Sequence, residues 1–160
     1  HHAIYDAMDA SSLAAAITPA TKLVWLEAAG SVTLEFPDLR SLIQVVRERA
    51  PQAVIAIDNT WGAGIAFDAF ALGIDVTIHA LTKYPSGGGD VLMGAVTCRD
   101  EPLYRTLALS RSRVGHGVGD FGENGRDLFL GDVDVAHVLS LHLETAVHVQ
   151  DFARDVVGIF

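Results

Sequence analysis

Lys83 is one of only two lysines in the chain. It follows an apolar run, DVTIHA (75–80), and precedes Tyr84, Pro85, Ser86 and three successive glycines, Gly87, Gly88 and Gly89. An amine at the rim of an apolar core is partly desolvated, which favours its neutral form and frees it to attack carbonyls. The same place also suits a lysine that lays its alkyl stem over the rim and keeps its charge in water. Asp58 closes the preceding apolar run, AVIAID (53–58), where it can serve as a carboxylate partner or cap whatever follows. Thr82 puts a hydroxyl beside the lysine. Together the three fit one chemistry better than any other. Pyridoxal phosphate needs a lysine for its aldehyde, an acid to hold its ring nitrogen protonated, and small polar or backbone N–H donors around its phosphate. The 25 residues from Asp58 to Lys83 make one α/β passage, which brings the two groups to neighbouring strand ends.

The elements that must position these residues are legible as apolar runs. Lys22–Glu27 (KLVWLE), Ala53–Asp58, Asp75–Ala80 and Val91–Cys98 (VLMGAVTC) are short and nearly continuous in apolar residues, as strands buried on both faces should be. Between the first two, Asp38–Ala50 (DLRSLIQVVRERA) sets Leu39, Leu42, Ile43 and Val46 at helical spacing, with Asp38 as its cap. A shorter helix is expected over Ala66–Leu72 and another over Glu101–Ser110. Alternating strands and helices predict an α/β layer with a mainly parallel sheet, and ligands of such sheets sit beyond the carboxyl ends of the strands.

With 160 residues, half of them apolar, the chain has the size of one domain with an ample core. Its net charge of −9 argues against a nucleic-acid partner, whose phosphates require clustered Lys and Arg. No apolar run reaches the roughly 18 residues of a membrane helix, and the start HHAIYD has neither part of a signal peptide. A cytoplasmic protein without a membrane partner is the expectation. A single cysteine, Cys98, permits no internal disulfide. His1 and His2, with no initiator Met, read as a tag remnant or a start lying upstream.

The segment from Thr21 to about Leu109 resembles the pyridoxal-phosphate-dependent enzymes of cysteine and methionine metabolism, the cystathionine β-lyase and γ-synthase group. The motifs are VWLEAAGSVTLEF (24–36), IDNTWGAGIAFDAFALGIDVTIHALTKY (57–84) and GGGDVLMGAV (87–96). Gly30 and Ser31 make it most similar to the bacterial cystathionine β-lyase branch. The resemblance implies part of the large cofactor domain of the aspartate-aminotransferase-like (type I) fold, a mainly parallel sheet with helices on both faces. It implies that Lys83 forms the Schiff base, that Asp58 binds the pyridine nitrogen and that Thr82 is a phosphate ligand. The implied reaction is β-elimination from cystathionine or a related cysteine thioether, giving a thiol, pyruvate and ammonia. A small amino-acid substrate and a homo-oligomer follow from the same likeness. Two positions depart from the family pattern: Ala80 where Ser is common, and Gly87-Gly88-Gly89-Asp90 where a His usually follows the first glycine.

Other signals carry less. Gly117–Gly122 spells G-x-G-x-x-G without a strand before it or a helix after it, and within it Asp120-Phe121-Gly122 is an isolated kinase triplet. His137, His142 and His148 are spaced five and six apart, which does not bring them to one helical face. Arg105, Arg111 and Arg113 form a basic cluster suited to a carboxylate or to a solvated face. The competing functions are a non-catalytic anion- or nucleotide-binding α/β module using the Gly87–Gly89 loop as a phosphate nest, and a γ-lyase or γ-synthase of the same family. Residues 1–119 read as a partial cofactor domain. Residues 120–160 carry 2 basic and 8 acidic side chains and show no family pattern. They form an atypical acidic tail in which Ala136, Leu139, Leu143 and Ala146 suit one helix. Because the family's members run to several hundred residues, with the substrate-carboxylate arginine in a further domain, the chain reads as a fragment with little turnover of its own.

Overall fold

A computed structural model of the chain describes residues 2–88, 92–114 and 137–141. The order of elements is α1 (Ala10–Ala16), β1 (Leu23–Glu27), α2 (Leu39–Arg49), β2 (Val54–Asp58), β3 (Val76–Ala80), β4 (Gly94–Cys98), α3 (Glu101–Val114) and β5 (His137–Leu141). The fold is α/β with a mainly parallel sheet, in which the strands follow in chain order, β1-β2-β3-β4-β5. The chain divides into two compact units, residues 1–77 and 78–159, so that β3 begins in the first and ends in the second.

In the first unit β1 and β2 run parallel in a register that sets Val24 opposite Ile55, Leu26 opposite Ile57 and Glu27 opposite Asp58. The core beneath them joins Val24, Leu26, Ile55 and Ile57 to Leu13 and Ile17 of the α1 region and to Leu42, Ile43 and Val46 of α2. Burying side chains of this size stabilises by roughly 1.5–3 kcal/mol each. Asp38 caps α2, its carboxylate accepting the Ser41 N–H at 3.2 Å, as its sequence predicts. β1 alternates between buried and half-exposed residues, unlike the continuously buried strand expected, because it pairs with β2 alone and stands at the edge of the described sheet. Its Trp25 carbonyl accepts the Tyr5 hydroxyl at 2.8 Å.

The loop into β3 departs from expectation. Ala66–Leu72 is not a helix but a series of turns, closed by Leu72 N–H to Ala69 C=O and Gly73 N–H to Phe70 C=O. The Asp68 carboxylate takes the Ala71 N–H at 3.0 Å, in place of a backbone carbonyl. Gly73 adopts φ +96°, which glycine tolerates, and so turns the chain into β3. Arg47 of α2 fastens this turn: its guanidinium donates to the carbonyls of Ala53 and Gly73 and grips both oxygens of Asp75 at 2.8–2.9 Å. Asp75 in turn accepts the N–H of fully buried Ile55 at 2.7 Å.

In the second unit β4 pairs antiparallel with β5, with Val96 opposite Leu139. Residues 137–141 are therefore a strand and not the helix expected of that stretch. The rest of the tail, residues 120–136 and 142–160, lies outside the described residues, as do the Gly117–Gly122 loop, His142 and His148. No described helix is long and apolar enough to cross a membrane.

Candidate active site

Asp58 is the last residue of β2, half-buried, and level with Glu27 across the parallel pair. Two carboxylates thus end adjacent strands at one edge. Each is fixed by the loop that leaves its strand. Glu27 Oε1 accepts the Ser31 N–H at 2.8 Å, and Asp58 Oδ1 accepts the Thr60 N–H at 2.9 Å. The second oxygen of Asp58 meets no hydrogen-bond donor among the described residues. A carboxylate with one oxygen anchored and one open is oriented to receive a single N–H, which is what a protonated ring nitrogen presents.

Asn59 follows directly and is 2% exposed, with its side-chain oxygen left without a hydrogen-bond partner. Its backbone carbonyl accepts the Ala63 N–H at 2.9 Å, closing a turn through Gly62. Gly62 is indispensable to that turn, since a Cβ there would collide with the Asn59 side-chain oxygen and stand 3.2 Å from the Phe67 ring. Sequence reasoning quoted Asn59 only within the strand-end motif and gave it no role; the signal was a second polar residue directly after Asp58, three residues before a glycine.

Lys83 and Thr82 share one turn in the second unit, beyond the end of β3. The Lys83 N–H bonds to the Ala80 carbonyl at 3.0 Å, the Ser86 N–H to Leu81 at 3.0 Å and the Gly87 N–H to Tyr84 at 3.2 Å. The Lys83 side chain is exposed and makes no hydrogen bond or ion pair among the described residues. This corrects the expectation of a partly desolvated rim lysine. Two residues, Leu81 and Thr82, separate Lys83 from the end of β3, so the turn carries it beyond the strand. The Thr82 hydroxyl accepts the Met93 N–H at 3.2 Å and donates to the Met93 carbonyl at 3.5 Å. Ser86, which sequence reasoning quoted only as part of the loop, hydrogen-bonds to the carbonyls of Thr82 and Lys83. Gly89, the end of the predicted phosphate nest, lies outside the described residues. In the basic cluster, Arg105 is engaged by Glu101 one turn earlier on α3, at 2.7 Å.

Taken by residue type, the first unit offers a carboxylate at Asp58 and the second an exposed primary amine at Lys83 and a hydroxyl at Thr82, the kinds of group pyridoxal phosphate requires. Comparison with known proteins reaches the same class. Residues 1–123 match the family model described as Cys/Met metabolism PLP-dependent enzyme, and the chain belongs to that family. It is similar to the cystathionine β-lyase of Escherichia coli, 42% identical over 94 residues, which are 59% of this chain and 24% of that protein. The cystathionine γ-synthase of Mycobacterium bovis is 31% identical over 150 residues, 92% of this chain and 37% of that one. Among solved structures, a cystathionine γ-lyase from Lactobacillus plantarum complexed with L-serine superposes with a TM-score of 0.65 at 26% identity, covering 71% of this chain and 29% of its own. The chain thus spans about a quarter to a third of the length of these relatives.

Proposed function

We propose that the chain carries the cofactor-binding part of a carbon–sulfur lyase that cleaves cystathionine, or a related cysteine thioether, by β-elimination to a thiol, pyruvate and ammonia. What supports the reading most is the lysine turn Thr82-Lys83 in a chain 42% identical to a cystathionine β-lyase over the stretch that contains it. Pyridoxal phosphate, when bound, supplies an electron sink for the pair left on the substrate's α-carbon.

The chain's own residues divide the remaining work. Lys83 Nζ would hold the cofactor through its aldehyde and, as a free amine, would take the substrate's α-proton as a general base. Asp58 would hold the proton on the ring nitrogen through its second oxygen, while the Thr60 N–H keeps that carboxylate from rotating away. Thr82 would turn its hydroxyl proton from the Met93 carbonyl to the phosphate while the Met93 N–H holds its oxygen in place. In this reading residues 1–119 are a partial cofactor domain, the whole enzyme is a cytoplasmic homo-oligomer, and its substrate is a small amino acid.

Reaction by γ-elimination or γ-replacement is the second reading, favoured by the likeness to a γ-synthase over 92% of the chain. The test is the visible spectrum of the purified chain on adding pyridoxal phosphate, followed by product analysis of the whole enzyme with cystathionine. A yellow protein whose whole enzyme releases pyruvate supports the β-lyase reading. Release of a 2-oxobutanoate product instead favours the second, and a chain that stays colourless yet binds nucleotide would overturn both.

A further inference from the structure

The turn that carries Lys83 is short of backbone partners at the two residues that matter most. Its N–H groups reach the carbonyls of Ala80, Leu81 and Tyr84, so the carbonyls of Thr82 and Lys83 receive no backbone N–H among the described residues. Ser86 supplies the missing donor: its hydroxyl lies 2.9 Å from the Thr82 carbonyl and 3.2 Å from that of Lys83. The side chain is half-buried, and its own N–H closes back on Leu81, so both ends of Ser86 tie the turn shut. At the other side of the turn the Thr82 hydroxyl accepts from Met93, just before β4. Ser86 and Thr82 therefore clasp the peptide unit between Thr82 and Lys83 from two directions. The lysine itself is exposed, so packing against other side chains does not set its backbone direction.

We propose that Ser86 is a positioning residue for Lys83, its hydroxyl ordering the turn so that the amine is presented to the cofactor in one orientation. The proposal rests on the reading of Lys83 given above and adds to it a residue that holds the backbone rather than touching the ligand. A flexible turn would spread the amine over many orientations, and cofactor capture would fall with the fraction correctly placed. The pyrrolidine of Pro85 fixes φ just before Ser86, which limits the ways the turn can rearrange if the hydroxyl is lost.

The test uses the intact chain in three forms, wild type, Ser86→Ala and Ser86→Thr. Amide hydrogen exchange over residues 82–87 without cofactor reads the clasp directly. Loss of one hydrogen bond of ordinary strength predicts roughly fivefold faster exchange in Ser86→Ala and near wild-type exchange in Ser86→Thr. Borohydride trapping at limiting pyridoxal phosphate reads the consequence, and Ser86→Ala should trap several-fold less cofactor on Lys83, with Ser86→Thr restoring it. Unchanged exchange in Ser86→Ala overturns the proposal, and so does faster exchange with undiminished trapping. If wild type traps nothing on Lys83, the cofactor reading fails together with the presentation of the amine, whereas the exchange result still decides the clasp. Should Ser86→Ala fail to fold, Ser86→Cys takes its place in both measurements, its weaker S–H donor predicting an intermediate effect.

Discussion

Glu27 and Asp58 are register partners at the carboxyl ends of two parallel strands, each with one carboxylate oxygen tied to the loop that follows it. The arrangement makes Asp58 a rigid acceptor. Asp58→Asn keeps an oxygen for the Thr60 N–H but removes the charge that stabilises a protonated ring. In the whole enzyme the substitution is expected to slow substrate α-proton exchange far more than it weakens cofactor binding. Exchange rates equal to those of the unchanged enzyme would refute the role.

Arg47, Asp75 and the buried Ile55 N–H form a connected set that fastens the entry to β3. Asp75→Ala leaves that N–H and the guanidinium without their shared acceptor, an expected loss of about 1–3 kcal/mol in urea unfolding. Asp75→Asn retains a carbonyl oxygen and should lose less. Equal losses for the two would show that the Ile55 bond contributes nothing.

Gly62→Ala tests the turn beneath Asp58. Its Cβ would overlap the Asn59 side-chain oxygen and crowd Phe67, so about 1–3 kcal/mol of stability should disappear. Asn59→Ala removes the obstacle, and the double variant should be more stable than the two single losses predict by addition. Simple additivity in a double-mutant cycle would contradict the collision.

Burial pushes the Tyr5 hydroxyl up from 10.0 to about 12. The Cys98 thiol is raised from 9.0 to about 11, first by burial and then by Asp100 and Glu101. Both groups are neutral in their protonated forms, and both bind protons more tightly folded than unfolded. Their contribution is therefore complete below about pH 9 and is lost as the pH climbs through 9 to 12. Tyr5→Phe should flatten the fall between 10 and 12, at the expense of the bond to the Trp25 carbonyl. Denaturant midpoints across this range check the slope, and an unchanged slope in Tyr5→Phe would count against the assignment. Cys98 should also resist thiol reagents at neutral pH, because its thiolate is scarce and the residue is buried.

Much of this was legible in the residues. β2 and β3 announced themselves as apolar runs ending in polar groups, and α2 by its spacing and its Asp38 cap. Ala66–Leu72 misled because its composition suits a helix while the Asp68 carboxylate takes up the Ala71 N–H. α1 went unread: Asp9 caps it by accepting the Ser11 N–H, but seven residues of ASSLAAA offer a single buried leucine and hence almost no periodicity. The strand at 137–141 was hidden inside a stretch whose apolar residues suited a helix. The exposure of Lys83 and the clasp of Ser86 depend on how the turn folds back on its own carbonyls, which no spacing rule encodes.

The most direct measurement is borohydride reduction of the chain with pyridoxal phosphate, followed by peptide mapping of the modified lysine. With only Lys22 and Lys83 available, the outcome is unambiguous. The account predicts the label on Lys83, within the peptide ALTKYPSGGGD. A label on Lys22, or a folded chain that takes no label, would contradict it.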